Sequence, residues 1–187
     1  MNFTSTEGFP QLLPPAISTR NLLRQATAPL HEAVEARFEG LDLTDAADYG
    51  RFLAIHAMSI LPLEAALDDA GIAATLPDWH ARKRGAALAE DLAALGQPMP
   101  EGHTIRLASG AEALGAAYVL EGSRLGAAML LRQIPEGLPT AFLRHGHKER
   151  LWQSFLPHLE GLTAAQTDLA VLGAQRAFGL FLPGAAA

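Results

Sequence analysis

Arg24, Thr27, His31 and Glu35 recur at intervals of three and four within an otherwise apolar stretch. On a helix that spacing gathers them on one face, with Phe38 at its end and Leu23, Ala26, Leu30, Ala33 and Val34 beside it. An imidazole in such a stripe can hold a metal. A carboxylate one turn on can orient its other nitrogen, and a guanidinium two turns back can meet a negative group. The stripe fits a metal-bound anionic ligand. Taken alone it decides nothing, because one histidine on a half-apolar helix is more often a hydrogen-bonded or solvated imidazole. The run from His31 to Glu35 also misses the H-E-x-x-H zinc pattern, since glutamate stands at the second ligand position.

A second segment gives the stripe a counterpart. Ser109 followed by Glu112 is a capping-box signature, so a helix should begin near Ser109, and no proline interrupts it before Pro135. Its interior carries Gly115, Gly122 and Gly126, each costing about 1 kcal/mol relative to alanine. With Ser123, Ala127 and Ala128 they leave one side of the helix nearly bare backbone. Two readings follow: another helix packs closely there, or a flat ligand lies against the backbone. Glu121 and Arg124 argue against a membrane span despite the G-x-x-x-G spacing of Gly122 and Gly126.

The two segments together resemble the paired signatures of heme oxygenases, especially bacterial members that supply biliverdin to bacteriophytochromes. Leu23, Arg24, Thr27, His31 and Glu35 match the L-R-x-x-T-x-x-x-H-x-x-x-E pattern, and Tyr118 to Gly126 match the run Y-V-L-E-G-S-x-L-G. Weaker echoes lie at 49–56, 62–64 and 76–79, so the likeness spans about residues 20 to 182. The resemblance implies an all-α, single-domain helix bundle that binds heme as both substrate and cofactor. It would cleave heme to biliverdin, iron and carbon monoxide with molecular oxygen and electrons from a ferredoxin or reductase. It further implies that His31 is the axial iron ligand, with Glu35 behind it. Gly122, Ser123, Arg124 and Gly126 would lie at the distal, catalytic face. Arg24 and Tyr118 would reach the propionates, with Thr27 and Phe178 in the pocket and Lys148 and Arg150 as further basic groups. The chain departs from the animal-type pattern where an aspartate holds distal water, for Arg124 is the nearest equivalent, and Ala127 stands where many relatives have glycine. A heme carrier or sensor without catalysis would share His31 and the bare helix face, and reductant turnover separates the two. The thiaminase type, of similar fold, needs a nucleophilic cysteine that this chain lacks.

Composition agrees with that reading. A chain of 187 residues with 49% hydrophobic content fits one domain, rich in alanine and leucine as helical proteins are. The absence of cysteine excludes disulfides, thiolate heme ligation and iron–sulfur sites, and accords with a cytoplasmic setting. The N-terminus lacks the basic and long apolar regions of a signal peptide. A net charge of −6 without a basic tract argues against nucleic-acid binding.

The elements expected to position these groups are helices. Residues 1–17, with Pro10, Pro14 and Pro15, read as an extended leader ahead of the helical domain over 18–187. Helices are expected over 19–38 (kinked at Pro29), 45–70 (bent near Pro62), 78–95, from 109 onward, briefly over 140–144, over 147–159, and from the capping box at Thr163–Gln166 to before Pro183. His56 sits in an apolar setting as a core residue first and a rival ligand second. His145 and His147 flank a loop glycine and read as solvated, and His80, His103 and His158 lie at helix ends or in loops. Paired E-x-x-H motifs of di-iron bundles are lacking.

Overall fold

The computed structural model describes residues 17–146 and 149–182. All but the last residue of the expected leader, and both His147 and Lys148, lie outside them. Among the described residues there is no strand, and the fold is all-α as expected.

Helix α1 (Thr19–Phe38) is capped twice. The Ser18 hydroxyl accepts from the Asn21 N–H, and the distant Glu160 carboxylate accepts from the N–H groups of Thr19 and Arg20 at 2.9 and 3.1 Å. It runs through Pro29, which is exposed, so water can satisfy the carbonyl the proline leaves without a donor. Helix α2 (Ala46–Asp69) starts at Asp45, whose carboxylate takes two N–H groups, and it buries Phe52, Leu53, Ala57, Ile60, Leu63 and Leu67. Among the described residues it is the one helix long and apolar enough to cross a membrane, yet 56% of that stretch is buried by other helices, as in a core helix.

The helix expected over 78–95 is two helices, α3 (Trp79–Arg82) and α4 (Gly85–Ala94). Between them Lys83 is extended, and the buried Glu64 carboxylate accepts from the N–H groups of Arg84 and Gly85 at 2.6 and 3.2 Å. A carboxylate from α2 thus caps α4, which has no local capping side chain. Helix α5 (Gly110–Leu130) begins at Ser109, whose hydroxyl accepts from Glu112 N–H. The short α6 (Ala141–Arg144) is held by the buried Asp91 carboxylate, which accepts from the N–H groups of Ala141 and Phe142 at 2.9 Å each. Helix α7 (Leu151–Glu160) starts later than expected, and α8 (Ala164–Gly179) opens on the Thr163–Gln166 capping box.

Helix α8 lies between α1 and α5, with α7 beside both of those, and α2, α4 and α6 complete the bundle. The contact of α8 with α5 depends on glycine from both sides. A Cβ on Gly115 would sit 1.8 Å from the Ala170 carbonyl oxygen, and one on Gly173 would sit 1.9 Å from that of Glu112. Of the three interior glycines of α5, Gly115 therefore serves helix packing. Gly126 would meet nothing within 4 Å, and Gly122 only the Trp152 ring at 3.8 Å. Gly115→Ala should accordingly cost roughly 2–4 kcal/mol in urea unfolding, because backbone must move. Gly126→Ala should be neutral or stabilising by up to about 1 kcal/mol through helix propensity. Equal effects would show that the two glycines share one role.

Candidate functional site

The two faces singled out in the sequence stand on α1 and α5, the helices that flank α8. On α1, His31 is 57% exposed, and its Nδ1 lies 3.4 Å from Glu35 Oε1. The carboxylate stands beside Nδ1, which leaves Nε2 free as a ligand atom. The ring of Phe178, from α8, meets the imidazole edge-on at 5.8 Å and so restricts its rotation. Thr27 is buried, and its hydroxyl donates to the Leu23 carbonyl at 2.8 Å. Arg24 is exposed. Among the described residues no three His, Asp or Glu side chains converge, so a metal on His31 would take its other ligands from a non-protein group.

Along α5 the burial changes within one turn. Residues 111–121 are buried apart from the half-buried Tyr118, whereas Ser123, Leu125, Gly126 and Met129 are exposed. Gly126 and Met129 continue the line of Gly122, so the helix presents an apolar strip of low relief. Leu125 and Met129 are 51% and 69% exposed.

Beneath that strip lies a charged network that sequence patterning did not identify. The fully buried Glu121 carboxylate accepts from Arg82 Nη1 at 2.7 Å and from Arg124 Nη2 at 2.9 Å. Arg82, itself buried, also donates to Asp78, to the Leu151 carbonyl and to Ser154. Arg124 donates further to the carbonyls of Arg82 and His145. Its guanidinium is thereby committed to protein partners. Arg84 is buried next to these cations, and burial followed by the Arg124 charge pushes its pKa down to about 9. Its Nη2 donates to the Ser123 hydroxyl at 2.8 Å and to the Leu120 carbonyl at 3.0 Å, and Ser123 in turn donates to that carbonyl. Gly122, Ser123 and Gly126 thus sit on a helical turn whose orientation is set from below.

The other end of the region is aromatic. His56 is packed among Phe38, Phe52, Phe142 and Phe181, at ring separations of 4.2 to 5.7 Å, and Arg84 lies over the Phe142 ring. Its Nδ1–H donates to the Phe52 carbonyl at 2.9 Å. The Arg37 guanidinium, from the end of α1, donates to the Phe181 carbonyl and ties that wall to the His31 helix. Burial lowers the His56 pKa to about 4, against the hydrogen bond to Phe52 and helped by Arg84 and Arg37. Structural packing was the first expectation for this residue, and packing is what the structure shows.

At the opposite end, the Tyr118 ring lies tilted at 50° to that of Trp152, with centres 5.8 Å apart. Burial raises the phenol's pKa, and the charges of Arg20 and Arg24 oppose that rise; the Arg20 guanidinium carbon lies 5.6 Å from the centre of the Trp152 ring. Arg20 was not singled out in the sequence. It stands eleven residues before His31, close to three whole turns, so extending the stripe one turn backward would have found it.

The neutral His56 has a consequence for stability. Its folded pKa lies below the ordinary value of about 6.5, so its contribution is complete above that pH and is lost as the pH falls through about 4. Urea unfolding between pH 7 and 4 should show a slope of up to about 1.4 kcal/mol per pH unit from this group. His56→Phe should flatten it. An unchanged slope would place the imidazole in water.

Comparison with known proteins bears on this arrangement. A family model described as heme oxygenase matches residues 18–183. The chain is 33% identical over 182 residues to heme oxygenase PigA of Pseudomonas aeruginosa, covering 88% of this chain and 92% of that one. It is 34% identical over 146 residues to a heme oxygenase of Xanthomonas campestris pv. campestris, covering 73% and 88%. Its fold is similar to that of the heme oxygenase of Neisseria meningitidis solved with NO and CO bound, with a TM-score of 0.74, 23% identity and 89% of each chain covered.

Proposed function

The chain belongs to the heme oxygenase family, enzymes that degrade heme, and we propose that it opens heme to biliverdin with release of iron and carbon monoxide. Molecular oxygen and an external donor such as a ferredoxin or a reductase would supply the rest of the reaction, in the cytoplasm, with a bacteriophytochrome as one acceptor of the bilin. One observation carries the reading. An exposed imidazole, with Nδ1 beside a carboxylate and Nε2 free, and a helix turn with open backbone at Gly126 stand on the two helices flanking α8.

The residues present fit a flat metalloporphyrin with an acidic edge. His31 would hold the iron through Nε2, while Glu35 and Phe178 fix the ring. Gly122 and Gly126 leave space where any larger side chain would meet the ligand. Ser123 is set by Arg84, and Arg124 acts on the site through Glu121 by holding the turn that bears them. Arg24 and Tyr118 would take the propionates, and Thr27 supports the stripe from inside. When bound, heme supplies the iron that activates oxygen and the carbon that is oxidised. The protein's part is to orient it and keep its oxygen side narrow.

Anaerobic titration with ferric heme, followed by air with ascorbate or a ferredoxin system, tests the reading. A Soret band should form at one equivalent and then give way to bilin absorption, whereas an intact band would mean a carrier. His31→Ala should abolish the axial-ligand spectrum, and added imidazole should partly restore it. If His56→Ala did this instead, the ligand would be the wrong histidine. Gly126→Leu should weaken heme binding at least about tenfold with unchanged helical content, because a side chain there would occupy the ligand's space. Unchanged affinity would make that strip an ordinary surface.

A further inference from the structure

We propose that Asp91 is a positioning residue for the heme-degrading site: by holding α6 it sets the Phe142 ring against the Arg84 guanidinium, and so fixes the Ser123 turn of α5. The proposal rests on the heme reading above and extends it to a residue of α4 that no sequence motif indicated.

Asp91, Phe142 and Arg84 are 1%, 2% and 2% exposed, so their influence on a ligand must pass through a neighbour. The links between them are short. Asp91 uses both oxygens, Oδ1 accepting the Ala141 N–H and Oδ2 the Phe142 N–H, at 2.9 Å each. Helix α6 has four residues and no capping side chain of its own, too little to hold its shape unaided. The Tyr49 hydroxyl donates to the Pro139 carbonyl at 2.8 Å and steadies the chain just before it. Arg124 donates to the His145 carbonyl at 3.3 Å just after it. Between these anchors stands Phe142, its ring centre 5.1 Å from the Arg84 guanidinium carbon and 5.3 Å from the His56 ring.

Arg84 makes that ring matter. Among the described residues no carboxylate stands within ion-pair distance of its guanidinium. Glu64 fixes its backbone, accepting the Arg84 N–H at 2.6 Å. Its side chain lies between the Phe142 face and the oxygens of Leu120 and Ser123, to which Nη2 donates at 3.0 and 2.8 Å. The attraction of a cation for an aromatic face grows when water is excluded, as it is here. A shift of the ring therefore shifts the guanidinium, and the Ser123 hydroxyl is where that shift arrives. Asp91 thus reaches the turn bearing Gly122 and Ser123 by way of one backbone contact, one ring and one cation.

Two variants cut the route at different points. Asp91→Asn keeps the side chain's size but turns one acceptor oxygen into a donor, so one of the two N–H groups loses its partner. Phe142→Leu keeps the cap and removes the ring face. Without ligand, hydrogen exchange at the Ala141 and Phe142 amides should quicken at least about tenfold in Asp91→Asn. With ferric heme, both variants should keep the dissociation constant within about twofold, while kcat for bilin formation falls about tenfold. The C–O stretching frequency of the carbon monoxide complex reads the field of the α5 turn rather than stability, and it should shift the same way in both. In the double variant, frequency and rate should match the larger single effect, since both changes act on one route. Lower stability with frequency and kcat unchanged would make Asp91 a residue of the fold alone and overturn the proposal. Additive effects, or a silent Phe142→Leu, would overturn it too. Should Asp91→Asn fail to fold, Asp91→Glu, which keeps the charge and displaces the oxygens, takes its place with the same expectations. Failure of the unsubstituted chain to take up heme would overturn the heme reading and this proposal together, whereas heme uptake with silent variants would overturn this proposal alone.

Discussion

The approach of α8 to α5 is the contact from which the rest of the architecture follows. Gly115 and Gly173 lie against each other's helices so closely that no Cβ fits on either side, and each faces a carbonyl oxygen rather than a movable side chain. Such a contact fixes both the rotation and the register of the two helices, since sliding either one brings a larger residue into the gap. It consumes the N-terminal half of α5. The C-terminal half, from Gly122 on, then diverges into open space with its apolar strip uncovered. Because α1 packs on α8 as well, the same helix that buries half of α5 also sets where His31 stands relative to the other half.

A second constraint holds the uncovered half in place. An exposed helix end bearing two glycines would fray on propensity alone. Here the fully buried Glu121 is held by two arginines, and one of those, Arg82 of α3, also binds Asp78 and the Leu151 carbonyl and Ser154 hydroxyl of α7. Ion pairs removed from water return little net stability, although breaking one is expensive, about 3–5 kcal/mol. Their value here lies in position: α5 cannot turn about its axis without separating Glu121 from Arg82. Arg84 adds the finer adjustment through the Leu120 carbonyl and Ser123. The cation at Arg124 is thus accounted for by what lies below the helix.

Much of this was legible in the chain because it is local. The stripe from Arg24 to Glu35, the capping signatures at Ser109 and Thr163 and the helical period each depend on residues within a turn or two, and α1, α5 and α8 begin where those signals put them. What escaped depends on partners far along the chain. The break between α3 and α4 is made by Glu64, about twenty residues earlier, so nothing around Lys83 announces it. The three interior glycines of α5 are identical letters. Only the position of α8 separates Gly115, which is needed for packing, from Gly126, which borders open space. Arg82 was not singled out, and Glu121 stood only as a charge against a membrane span, because their pairing joins positions 39 residues apart.

The region is asymmetric in a way that neither helix is by itself. One end gathers Arg20, Arg24, Tyr118 and the indole of Trp152, and the other gathers four phenylalanines around an imidazole kept neutral by burial. Both ends carry cations, and their settings differ: Arg37 and Arg84 are bound to carbonyl and hydroxyl oxygens among the rings, whereas Arg20 and Arg24 are exposed. For a near-symmetric ring such as a porphyrin, shape alone distinguishes the orientations poorly, and charge at the rim must do it. The open backbone at Gly126 leaves room for a flat group beside α5, and the exposed Arg20 and Arg24 give the first turns of α1 a cationic edge.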